Sequence, residues 1–590
     1  MKKTVFLLFV ISTFLITSTN VVPQQNKEDQ KFKKVLENYF DELWKFYPTA
    51  ATTAGYHKYD DKLEDLDSGD IEKRHETLEK FNQELVAKVD RTKLSPEFEI
   101  DHLMMIDALD RELLNHESLV PWEYNPLFYN RILTNCIRPL LTQEFAPLET
   151  RAKNAAERLK NIPELIKDAR ENLKTPPQLH TETAINQFPA ILDFYKNQLP
   201  PLIEQAPASS KPKLQQNLPK VISALESYQM FLKNELLGRS TGSVRLGEQA
   251  HRSLIRLTFQ NTIPLQELIA RSKADYKNLR REMFLVCIPF YKIMDPRIDL
   301  ENPPPNLTED QLINTTISHV LDKIKGEHAA PDEFINQIKA SAQEIKAFLQ
   351  EKQLVMLPEE TLTIEPMPRE IRGQGWARLL SPPQYETSGT FISQISPIPE
   401  QWEEEDINSF LHEYNNFLLY FWTVRRVYPG KFVPLFHNQK NPSLVRKMYP
   451  NKPLVKGWAT FIEDMLPHSG FGNYDLRLRL NQLKLRLRAA IDFQLEFNIH
   501  EGGMTKEQAI AYMTRGGFQT KAEAERKWEN IILNPGDAAY GYVGLQEITD
   551  MEKEYKKLKG ESFSRKEFLD KILSYGAISL RSLKKKILEQ

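Results

Sequence analysis

Apolar residues return at spacings of three and four along almost the whole chain, and that periodicity restricts it to a helical fold. Phe32, Val35, Leu36, Tyr39, Phe40 and Leu43 share one helix face, and Ile222, Leu225, Tyr228, Leu232 and Leu236 share another. Ile317, Leu321 and Ile324, then Phe334, Ile338 and Ile345, repeat the pattern. Alternating runs of strand length are scarce; Thr361 to Ile364 and Thr390 to Ile395 are the best candidates. Prolines outnumber glycines, 37 to 22, which suits many helices stopped by X-Pro loops. Pro303-Pro304-Pro305 reads as a surface loop, and 356–402 as an irregular connection carrying the few strands. With no internal repeat and no strong linker, residues 21–590 read as one large, predominantly helical domain.

The first 20 or so residues are set apart from that fold. Lys2 and Lys3 precede an apolar run from Val5 to Ile16, too short for a comfortable membrane span and ended by polar residues from Thr17 onward. This is the pattern of a signal peptide, so the mature protein is expected to be exported, periplasmic or extracellular, without a membrane span. No cysteine follows the run, so a lipid anchor is not expected there. The two cysteines, Cys136 and Cys287, lie in apolar stretches; one disulfide or two buried thiols are equally compatible with the sequence.

Charge narrows the partners. Lys and Arg (78) nearly balance Asp and Glu (80), and a net charge of −2 gives no reason to expect nucleic acid. A hydrophobic content of 41% is enough for one large core or two closely packed ones. Glycine-rich phosphate loops and nucleophile elbows are absent from the sequence.

Ile407 to Val424 reads as one amphipathic helix whose apolar stripe runs through Phe410, Tyr414, Phe417 and Phe421, and Arg425 continues that stripe. An arginine there needs carboxylates or carbonyls around it. Tyr428-Pro429-Gly430 should break the helix near Val427. His412-Glu413 reads as polar helix surface, since Asn416 stands where a second metal-binding histidine would belong.

Several stretches together resemble the bacterial domain-of-unknown-function 885 family, relatives of helical zinc carboxypeptidases and oligopeptidases. They include FYPTAATTAGYHKYDDKL at 46–63, EFAPLETRAKNAAERLKNIP at 144–163, SLVRKMYPNKPLVKGWATFIEDML at 443–466, IHEGGMTKEQAIAYM at 499–513 and NPGDAAYGYVG at 534–544. The resemblance covers about the whole mature chain and implies a zincin-like all-α fold. It also implies a zinc site: a helix ending in H-E-x-x-P-G-H, with E-G-W-A about thirty residues later. There two imidazoles and a carboxylate hold the ion, and a glutamate takes a proton from the attacking water.

This chain has V-R-R-V-Y-P-G-K at 424–431 and V-K-G-W-A at 455–459. The frame residues match, but Arg425, Arg426, Lys431 and Lys456 stand where the family has its histidines and glutamates. Neither arginine nor protonated lysine offers a metal a lone pair. Family members also tend to carry an arginine where this chain has Asp492, and a tyrosine at Gly541, which Tyr540 and Tyr542 flank here; His500 is retained. Glu463, two helical turns after Lys456, is expected to be an ion partner of the cations, and Asp492 another, with Glu501 a weaker candidate.

Three readings follow from these residues. The favoured one is a non-catalytic relative without zinc or other cofactor, binding a peptide, a protein or a small anionic ligand in a cationic cleft. The others are a metallopeptidase with unrecognised ligands, and a cationic pocket serving an anion or different hydrolytic chemistry.

Overall fold

The periodic segments form the helices that their spacing predicts. Phe32 to Leu43 lie in the Lys27–Phe46 helix, Ile317 to Ile324 in Glu309–Ile324, and Phe334 to Ile345 in Phe334–Glu351. The structure, a computed structural model, describes residues 26–294, 307–372, 375–386 and 389–589. The leader and the Pro303–Pro305 loop lie outside the described residues. Among those described, no helix is long and apolar enough to cross a membrane.

Two main apolar cores are buried. Helices between Pro121 and Leu236 enclose the smaller, which holds Trp122, Phe188 and Tyr228. The larger joins the N-terminal helices to everything after Glu248 and holds Trp458, Leu483 and Ile491. Arg158 fastens the smaller set of helices to the N-terminal segment. Its guanidinium, entirely buried, donates to the carbonyls of Lys62, Cys136 and Pro48 and to the Thr52 hydroxyl. An unsatisfied guanidinium would be expensive in that position, and these acceptors, with the Tyr59 carbonyl at 3.4 Å, offset its desolvation.

The two strand candidates are strands, β1 (Thr363–Pro366) and β3 (Ile392–Ile395). They pair in parallel, and β2 (Ala377–Leu380), which lacks a clear alternation, adds to β3 in antiparallel register. Cys136 and Cys287 are both buried free thiols, so no disulfide joins them.

The stretch read as one helix from Ile407 to Val424 is instead two. Glu404–Glu413 ends at Tyr414, and α1 (Asn416–Arg426) begins afresh. Asn415 causes the restart: its side chain accepts the backbone N–H groups of Phe417 and Leu418 and caps the new helix. The break reorients the first segment, and Glu413 is therefore not helix surface. It is 1% exposed, bound by the Arg488 guanidinium and the Thr520 backbone N–H, with the Lys484 ammonium 3.5 Å away.

Three long helices complete the frame around α1: α2 (Lys452–His468), α3 (Leu476–His500) and α4 (Tyr540–Lys559). Helices α2 and α4 meet backbone to backbone at Gly457 and Gly544. A Cβ on Gly457 would fall 2.2 Å from the Gly544 Cα, so neither position can carry a side chain without separating the helices.

Candidate functional site

The C-terminus of α1 is closed as the sequence predicts, with Val427 as its cap. The N–H groups of Val427 and Tyr428 both reach the Thr423 carbonyl, and that of Gly430 reaches Val424. A Cβ on Gly430 would lie 2.1 Å from the Val424 carbonyl oxygen, so only glycine permits this close return. The tight turn places Lys431 immediately beside the end of the helix that carries Arg425 and Arg426.

Arg425 turns to α2, where its Nε donates to Glu463 Oε2 at 2.8 Å and its Nη2 to Oε1 at 3.1 Å. The Glu463 side chain is fully buried. Burial pushes its carboxyl up to about 7, against the pull of the Arg425 guanidinium. Of the expected partners for the cations, Glu463 takes the role assigned to it.

Lys456 and Lys431 act on a different carboxylate, Asp537. Lys456 Nζ lies 2.5 Å from Asp537 Oδ2, donates to the Asp537 carbonyl at 3.3 Å, and sits 5.4 Å from the centre of the Tyr540 ring. Lys431 is part-buried, and its ammonium has no hydrogen bond or ion pair among the described residues. Burial lowers its ammonium to about 7, reinforced by the positive charges of Arg426 and Lys456 and opposed by Asp537. Lys452, one turn before Lys456, adds a further exposed positive charge that acts on both Lys431 and Asp537. Arg426 is exposed and likewise unpaired. Burial would raise the Asp537 carboxyl, but Lys456, Lys431 and Lys452 hold it below the ordinary aspartate range. Lys431, Lys452 and Lys456 thus act on one carboxylate, and Arg426 adds its charge beside Lys431 and Lys456. Lys452 and Tyr540 also line a small adjoining cleft with Arg111, Thr258 and Tyr449.

The remaining residues singled out in the sequence lie elsewhere. Asp492 does not neutralise the cluster; it pairs with Lys527, 2.5 Å away. Glu501 binds His251 and Arg252. His500 is 1% exposed, stacked on His251 with ring centres 5.0 Å apart, and its Nε2 lies 3.2 Å from the Ile531 carbonyl. Burial, the main cause, lowers its pKa. The Tyr542 hydroxyl donates to Asp275 at 2.8 Å, away from the lysines. Asp537 and Lys452 were missed, although both fall inside stretches that carried the resemblance. Among the described residues, the side chains grouped closely enough to hold a metal are Asp65, Asp67 and Asp70, far along the chain from this cluster.

The whole chain has structural counterparts. A candidate lipoprotein of unknown function from Shewanella oneidensis superposes with a TM-score of 0.80 at 26% identity, covering 95% of this chain and 100% of that one. A candidate lipoprotein from Colwellia psychrerythraea superposes with a TM-score of 0.73 at 15% identity, covering 95% and 98%. No curated protein matches. The model of the bacterial proteins of unknown function termed DUF885 matches residues 48–587, and the chain therefore belongs to that family.

Proposed function

We propose that this is an exported, non-catalytic member of its family that binds an anionic ligand, such as the carboxylates of an acidic peptide or a chain terminus. The observation that carries this reading is the imbalance around Asp537. Lys456, Lys431 and Lys452 act on one carboxylate, Arg426 adds a further positive charge felt by Lys431 and Lys456, and the Lys431 ammonium has no partner of its own among the described residues. Like charges a few ångströms apart repel, by roughly 1 kcal/mol per pair in water and more when partly buried. A bound anion relieves that repulsion; the apo cluster bears it.

The donor set does not fit zinc. Arg425 is engaged by Glu463 and the Lys456 ammonium by Asp537, and Lys431 with one carboxylate cannot make up the three protein ligands that zinc takes. No catalytic step is therefore routed through a metal at this site. Export is supported by the apolar leader and by the description of the two structural counterparts as candidate lipoproteins.

A melting-temperature series tests the reading. Sulfate, citrate and a glutamate-rich tripeptide with a free C-terminus should each raise the melting temperature, as ligands preferring the folded state do. Chloride at matched ionic strength should not. A response that follows ionic strength alone would overturn it.

A further inference from the structure

A second cavity, of about 760 Å³, opens between the Glu309–Ile324 and Glu404–Glu413 helices, α3 and the 512–520 segment. It shares no lining residue with the cationic cluster. Its size falls within the range of small-ligand sites. Two independent features mark its lining. Gln519 is 5% exposed, and neither its amide nitrogen nor its amide oxygen has a hydrogen-bond partner. Glu404 and Glu405, in the first turn of their helix, are exposed and unpaired among the described residues. By contrast, Asp322 is held by Lys325 at 2.8 Å and Glu413 by Arg488 and Lys484. Among the charged side chains described in the lining, Glu404 and Glu405 are thus the two without an ion partner, and Gln519 is a deeply buried carboxamide with neither atom met.

We propose that this cavity binds an extended peptide carrying a lysine or arginine. In an extended strand the N–H and C=O of one residue point to the same side, a donor and an acceptor that a carboxamide can meet together. Gln519 supplies that pair in a buried setting, where an unmet amide is costly. Glu404 and Glu405 receive the basic side chain at the rim. Both amide atoms are unpartnered, so either orientation of the carboxamide presents one donor and one acceptor.

The test is calorimetric titration with acetyl-Lys-Ala-Lys-amide at low salt. This probe is capped at both ends and carries no anionic group, so it has nothing to offer the cationic cleft. It should bind the full-length protein and the R426Q/K431M variant equally. Its affinity should fall at least ten-fold in Q519M and at least five-fold in E404Q/E405Q. No binding at millimolar probe, or unchanged affinity in folded Q519M, would overturn the proposal. Should Q519M fail to fold, the surface pair decides, and unchanged affinity in E404Q/E405Q would overturn it. Spermidine binding that is weakened in E404Q/E405Q but not in Q519M would instead identify a polyamine site.

Discussion

Arg425 and Glu463 are joined by two hydrogen bonds, at 2.8 and 3.1 Å, across the interface of α1 and α2, and the carboxylate has no solvent exposure. Removing one partner should hurt more than removing both. R425M leaves a buried carboxylate unpaired and should cost about 3–5 kcal/mol at pH 8. The cost should shrink towards pH 5. The folded Glu463 pKa, already raised to about 7, lies above its unfolded value, so the folded state binds the extra proton and stability falls as pH rises. R425M/E463M should recover most of the loss. Denaturant melts at the two pH values check both points.

Lys431 gives the opposite pH dependence. Its folded pKa is lowered to about 7, below the 10.5 of an ordinary lysine, so between those values the unfolded state holds more protons and stability rises with pH. K431M removes that rise. It should be more stable than the natural protein below pH 7, by about 1–3 kcal/mol, with the difference closing towards pH 10. A variant no more stable than the parent at pH 6 would mean that the ammonium is not under strain there.

The backbone contact between α2 and α4 should tolerate no side chain. In G457A the new methyl meets the Gly544 backbone, which cannot swing aside as a flexible side chain would. Unfolding measurements should show a loss at or above about 1–3 kcal/mol. The anion response should fall with it, because Lys456 and Tyr540 are held together by this contact.

Metal analysis addresses the resemblance to zinc peptidases. Protein purified without an affinity tag should contain no stoichiometric zinc, and chelators should leave its melting temperature unchanged. One tightly held zinc per chain would contradict the charge argument built on Lys431 and Lys456.

Much of this was legible in the sequence because helical spacing is a geometric statement. Glu463 lies seven residues after Lys456, which fixes its face of α2, and it meets Arg425 as that spacing suggests. The stop at Val427 follows from Pro429 and Gly430 in the same way. What could not be read depended on partners distant in sequence. Asp537 sits in the loop before α4 and reaches Lys456 only because Gly457 and Gly544 draw the two helices together. The resemblance, which implies an arginine at position 492, suggests Asp492 for the cluster, but Lys527, on a neighbouring helix, is the cation it meets. Glu413 was misplaced for a local reason. An unbroken helix from Ile407 would carry it on the polar face, and the Asn415 cap turns it inward to Arg488.

The central claim is that the cations around Asp537 form an anion site, and calorimetric titration with citrate tests it most directly. The natural protein should bind citrate with affinity that falls as pH rises from 7 to 9, since Lys431 then loses the proton that the anion requires. R426Q/K431M removes two cations that have no internal partner, so its fold should survive while citrate binds at least ten-fold more weakly, about 1.4 kcal/mol. Equal affinity in the folded double variant, without pH dependence, would contradict the account.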